Sequence, residues 1–184
     1  IDKLSDRMKF SYKMHYYFIN GDEEYYKKLA LRQVKLYPYD IDAHSKLADV
    51  YWNENIPGRY DNAISEYKIM LELDPEKFEL YKNIGNAYYS KSYYDNAIKY
   101  YEKYSAIFVE DPDILSSIAS AYWQLGNYEQ SISSLEEAIL LSNEELYLKR
   151  SLLKKKYLNN NIESNKYIDE LTQLLKKSES YRDS

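Results

Sequence analysis

The sequence predicts an all-α stack of helix–turn–helix units, and three observations carry that prediction. The pentapeptide YDNAI at Tyr60–Ile64 returns at Tyr94–Ile98, and as YEQSI at Tyr128–Ile132, each copy 34 residues after the one before. Self-similarity at a fixed period of this size marks stacked supersecondary units. Within a unit, apolar residues stand three and four apart, as in Tyr81, Ile84 and Tyr88, then Tyr94, Ala97, Ile98, Tyr101 and Tyr104. That spacing places them on one face of a helix. No run alternates with period two long enough to make a strand.

The units are bounded by this register at residues 8–40, 41–77, 78–111, 112–145 and 146–178, as one array with a polar tail at 179–184. The middle three are clear and the outer two degenerate, as expected of repeats that cap a stack. The first keeps Tyr17, Gly21 and Pro38, but has Tyr26 where a small residue is expected. The second has a long turn, NENIPGRY, three residues over length. The turns of the third and fourth fall at SKSY and LGN, and the last unit is expected to have a turn one residue short. Asp74-Pro75 and Asp111-Pro112 read as helix N-caps followed by proline in the first turn. Gly21, Gly58 and Gly126 fall in turns inside the units, where a helix end favours left-handed backbone. Gly85 and Ala97 are small so that the two helices of a hairpin can approach closely.

Composition narrows the chemistry. The chain has 24 Tyr against 4 Phe and 2 Trp, so its large rings carry polar tips and suit half-buried surfaces. With no Cys, disulfides, thiolate metal sites and thiol catalysis are excluded. A net charge of −5 argues against nucleic acid as a partner. That charge is uneven. Residues 1–145 hold 16 Lys and Arg against 25 Asp and Glu, a net of −9, and residues 146–178 hold 8 against 3, a net of +5. No apolar run approaches the ~18 residues of a membrane span. The start at Ile1 rather than Met suggests a piece of a longer protein.

The central unit resembles the tetratricopeptide repeat. Tyr81, Ile84, Gly85 and Tyr88 stand where that family has W-x2-L-G-x2-Y, and Ala97 with Tyr101 fit A-x3-F. The unit before supplies Leu47, Ala48, Tyr51, Ala63, Tyr67 and Pro75; the unit after supplies Ile118, Ala119, Tyr122, Ser131, Leu135 and Ala138. The resemblance implies a right-handed α-solenoid whose first helices line a concave groove. It also implies a non-enzymatic scaffold with a protein or peptide partner.

Two aromatic columns follow from this register. Tyr17, Tyr51, Tyr88 and Tyr122 take a place that the family buries between helices. The next residue is aromatic in every unit: Phe18, Trp52, Tyr89, Trp123 and Tyr157. One step turns a helix by about 100°, so the second column cannot share the first one's burial. By resemblance it looks into the groove, where rings serve as peptide anchors. Polar groove candidates in the same helices are Lys46 and Asp49 with Ser45, then Lys82, Asn83 and Asn86, then Ser117 and Ser120 with Ser116. Asn and Ser can hydrogen-bond a peptide backbone. Lys82 and Asn86 fit the first pair of the family's carboxylate clamp, but Ser117, Tyr147 and Ser151 replace the rest. His15 and His44 read as surface or packing residues. No catalytic, metal or cofactor site is expected. The alternatives to a peptide scaffold are a self-associating assembly module, through weak contacts between the oppositely charged ends, and a targeting arm of a larger protein. The compartment is left open.

Overall fold

The computed structural model describes residues 6–54, 56–142 and 146–180. Every element among them is a helix: α1 (Asp6–Ile19), α2 (Glu23–Leu36), α3 (Ile41–Asn53), α4 (Arg59–Leu73), α5 (Glu79–Ser90), α6 (Tyr94–Ser105), α7 (Pro112–Gln124), α8 (Tyr128–Leu141), α9 (Leu146–Leu158) and α10 (Ser164–Ser180). The all-α helical-repeat prediction therefore holds. The chain forms two compact units, residues 1–91 with α1–α5 and residues 92–184 with α6–α10. Within each unit every helix packs on the next one along the chain. The helix α10 carries the first residues of the expected tail, and residues 181–184 lie outside the described part.

The 34-residue period reappears as burial. Ala63, Ala97 and Ser131 are fully enclosed, as small residues must be where two helices touch. Leu80, Ile114 and Leu148 form a second buried column, and Tyr67, Tyr101 and Leu135 a third. Burying one such side chain contributes about 1.5–3 kcal/mol. In the first unit Met14, Ala30 and Leu47 form one cluster, flanked by Tyr26 and Tyr51. In the second, Ala119, Leu135, Ala138 and Leu148 form another. The polar intruder Ser131 is satisfied locally, because its hydroxyl donates to the Ala119 carbonyl at 2.5 Å. Gly85 is buried, as a packing glycine should be.

Each hairpin turn contains one residue of left-handed backbone. Gly21, Gly58 and Gly126 adopt φ of +69°, +78° and +79°. Ser92 and Asn160 do the same at 61° and 57° without being glycine. After α1 and α7 the turn closes as a Schellman motif. The Gly21 amide donates to the Phe18 carbonyl at 3.2 Å and Asp22 to Tyr17 at 3.0 Å; Gly126 donates to Trp123 at 3.1 Å and Asn127 to Tyr122 at 3.0 Å. After α9, Asn160 donates to Tyr157 at 3.0 Å and Asn161 to Lys156 at 2.8 Å. That last turn, residues 159–163, is longer than the other short turns rather than one residue short. The lengthened turn of the second hairpin closes differently: the Arg59 guanidinium donates to the Glu54 carbonyl at 2.6 Å.

The two Asp-Pro pairs differ. Asp111 caps α7, accepting from the Asp113 amide at 2.9 Å and the Ile114 amide at 3.2 Å, with Pro112 in the first turn. Asp74 does not cap α5. It accepts from the Glu76 amide at 3.1 Å and makes a local turn, and the helix starts only at Glu79. An Asp side chain can serve either geometry, and the three residues after Pro75 decide which. Of the histidines, His15 is exposed and His44 is buried. His44 Nδ1 lies 2.6 Å from Glu66 Oε2, and Nε2 lies 2.9 Å from the Pro38 carbonyl. Both ring nitrogens thus face acceptors, so α3, α4 and the 37–40 turn are tied at one point.

Two outcomes follow for stability. Ser92→Gly should stabilise the chain by about 0.5–1 kcal/mol, and Gly126→Ala should cost about 1 kcal/mol, because only glycine is relaxed at positive φ. Chemical denaturation measures both, and a loss at Ser92→Gly would contradict the assigned backbone. His44→Ala should cost about 2–4 kcal/mol, since it leaves the Glu66 carboxylate, only 12 % exposed, without its partner. A loss below about 0.5 kcal/mol would show that the tie carries nothing.

Candidate functional site

The aromatic doublets occupy the last turn of α1, α3, α5 and α7, and in α9 Lys156 precedes the single ring of Tyr157. Their side chains lie differently from expectation in one respect. Tyr17, Tyr51, Tyr88 and Tyr122 are half-buried, not sealed inside. The tyrosines that are enclosed, Tyr67, Tyr101 and Tyr104, belong to second helices. The reason is position: a ring two residues from a helix end stands at the rim of the hairpin, where a hydroxyl can reach water. Tyr17 stacks on Tyr25 with centroids 5.2 Å apart. Burial first, then the Glu66 charge, raises the Tyr51 hydroxyl above its ordinary value; at Tyr122 burial and then Glu102 do the same.

The second column is half-buried at Trp52, Tyr89 and Trp123 and exposed at Phe18 and Tyr157. Four of its rings clasp a tyrosine at the start of the second helix, across the turn. The pairs are Phe18–Tyr26 at 6.0 Å, Trp52–Tyr60 at 5.3 Å, Trp123–Tyr128 at 4.6 Å and Tyr157–Tyr167 at 4.5 Å. Arg59 reinforces the second pair, lying 4.5 Å over the Tyr60 ring and donating to its hydroxyl at 2.6 Å. Lys155 reaches over Trp123, its Nζ 4.3 Å from the ring centroid. Lys155 stands 34 residues after Ala121, which is fully buried, so a long cation replaces an alanine there. Burial, and less strongly Lys154, brings Lys155 down to about 8.

The polar candidates divide. Lys46, Lys82, Asn83 and Asn86 are half-buried. Ser117 and Ser120 are half-buried too, but turn their hydroxyls back on their own helix, donating to the Asp113 and Ser116 carbonyls at 2.9 Å each. Each still offers an acceptor oxygen, while its donor is engaged. Tyr147, at the place of a clamp cation, donates to Asp113 at 2.5 Å.

In the first unit the structure brings two candidates together. Phe18 and Asp49 line one cleft of about 940 Å³, with Tyr17, Glu23, Tyr26 and Glu54. Although its side chain as a whole is exposed, burial of the Asp49 carboxyl holds it above the usual carboxylate range. Burial and then that charge raise the Tyr26 hydroxyl, and the same two causes push Tyr67 up to about 12. Glu54 Oε1 accepts from Lys27 Nζ at 2.6 Å, while its buried Oε2 has no hydrogen-bond partner among the described residues. The sequence did not single out Glu23 or Glu54. The signal for Tyr26 was its misfit, a large ring at a place for a small one.

Comparison with known proteins places this geometry. Family models described as TPR repeat and tetratricopeptide repeat match residues 57–92, 80–107 and 112–145. Similar solved structures include MamA from residue 41 to its end, from Desulfovibrio magneticus RS-1, at 17 % identity and a TM-score of 0.78, covering 96 % of this chain and 97 % of that one. A further MamA crystal structure is 18 % identical with a TM-score of 0.75, covering 93 % and 97 %. Pseudomonas aeruginosa PilF is 19 % identical with a TM-score of 0.65, covering 91 % and 75 %. At these identities the likeness shows the fold. No curated protein matches the sequence. The family models and the repeated fold agree, and the chain is a tetratricopeptide repeat protein, of the class of helical scaffolds through which proteins bind one another.

Proposed function

We propose that the chain is a non-enzymatic scaffold that holds a peptide or protein segment against the first-helix face of each of its two units. The observation that carries this reading is the second aromatic column. Phe18, Trp52, Trp123 and Tyr157 are held by a cross-turn partner and yet unsealed, from Phe18 at 72 % exposure to the half-buried Trp52 and Trp123, and Tyr89 is half-buried in the same column. A ring already held in place loses little freedom when a ligand covers it, so its contact area converts to affinity efficiently. Lys46, Lys82, Asn83 and Asn86 add hydrogen-bonding groups to the same helices. With Ser117 and Ser120 bonded to their own helix, the second unit depends more on Trp123, Lys155 and Tyr157.

A peptide array probed with the wild type and with Phe18→Ser combined with Tyr89→Ser tests the reading. Peptides retained by the wild type should lose about 5- to 30-fold in affinity per ring, the cost of a hot-spot aromatic, with melting little changed. Equal binding by both proteins would remove the rings from the site. Lys155 supplies a second test. Its folded value of about 8 lies below its ordinary 10.5. The unfolded chain therefore binds the proton more tightly, and folding is penalised while the amine is protonated. Compared with Lys155→Met, the wild type should gain stability as pH rises from about 8 toward 10.5. A difference that stays flat across that window would mean that Lys155 is fully hydrated.

A further inference from the structure

The cleft between α1, α2 and α3 has a chemistry more specific than peptide binding. Four carboxylates, Glu23, Glu24, Asp49 and Glu54, line it against one cation, Lys27. Lys27 is engaged by Glu54 Oε1, and Glu24 is engaged by Lys28 at 2.7 Å. Among the described residues no cation pairs with Asp49 or Glu23, and Glu54 Oε2 is buried without a donor. Asp49 and Glu23 are exposed on the cleft and open to a ligand with N–H donors, which a carboxylate accepts strongly. The wall beside these groups is aromatic: Phe18, largely exposed, with Tyr17 and Tyr26.

Rings beside unpaired carboxylates match one side chain better than others. A guanidinium is planar and weakly hydrated, stacks on aromatic faces and presents five donors in a fork that fits carboxylates. An anionic segment would meet net negative charge, and an aliphatic one would leave the carboxylates unpaired. At about 940 Å³ the cleft has room for an arginine and the backbone on either side of it. We propose that it receives an arginine-bearing segment of a protein partner, the guanidinium lying against Phe18 and Tyr26 and donating to the Asp49 carboxylate. This rests on the scaffold reading and names the chemistry of the partner in the first unit.

Amide NMR of the whole chain, titrated with N-acetyl-arginine amide and separately with N-acetyl-citrulline amide, tests it, because citrulline keeps the shape and lacks the charge. The amides of Gly21, Tyr26, Asp49 and Asn53 should move with arginine and move at least about fivefold less with citrulline. Asp49→Asn should weaken the arginine response about tenfold, and Glu129→Gln, in the second unit, should leave it unchanged. Equal responses to the two probes, or shifts spread over the acidic surface and indifferent to Asp49→Asn, would overturn the proposal. Sedimentation showing a wild-type dimer that Asp49→Asn dissociates would also overturn it, by giving the cleft to a basic side chain of a second copy. Array peptides that bind Asp49→Asn as tightly as wild type, with no arginine response, would sink the arginine cleft and leave the scaffold standing. Loss of the array result with the arginine response intact would do the reverse.

Discussion

The constraint on which the structure depends is the residue of left-handed backbone in each turn between a first and a second helix. Within each unit it reverses the chain within a few residues and presents the last turn of one helix to the first turn of the next. Two successive side chains at that place must then face different surroundings, since one residue turns a helix by about 100°. Here both are aromatic in four of the five hairpins. The first sits at the rim, and in three of these the second, Phe18, Trp52 or Trp123, folds across the turn onto a tyrosine of the second helix. A small repeat cannot bury much surface alone. Rings clasped across the turn let this chain fix its hairpin ends with amphipathic side chains.

The repeats differ where a neighbour compensates. Ser131 replaces an alanine and bonds a carbonyl of the facing helix. Arg59 takes over the closing of a turn that an insertion has lengthened. Lys155 replaces a buried alanine and finds the face of Trp123. In each case the helix pair survives because the new polar group meets a partner of suitable chemistry. The cleft of the first unit is the exception. Its carboxylates outnumber the cations that reach them.

Much of this was legible in the residues. The period, the hairpins, the buried small residues and the left-handed glycines all follow from local rules, because a glycine in a turn and an alanine at a helix crossing are set by sterics alone. Ser92 and Asn160 were missed as left-handed residues, though each stands 34 residues from Gly126; the spacing was the signal, and the residue type hid it. Asp74 was misjudged because its side chain serves a turn as readily as a cap. The sealed burial expected of Tyr17, Tyr51, Tyr88 and Tyr122 failed because family position fixes a residue's helix face and leaves its depth to the neighbours. Phe18 and Asp49 were named separately. Their meeting in one cleft depends on how α1 packs against α2 and α3, and no periodicity in the chain encodes that distance.

A double-mutant cycle on Trp123 and Tyr128 measures the cross-turn clasp most directly, since it isolates the ring pair from the burial of either ring. If the clasp fixes the second aromatic, Trp123→Ala and Tyr128→Ala should couple by about 0.5–1.5 kcal/mol, the range for aromatic pairs. Strict additivity of the two losses would mean that the rings are merely neighbours, and that the second column is not held in place for a ligand.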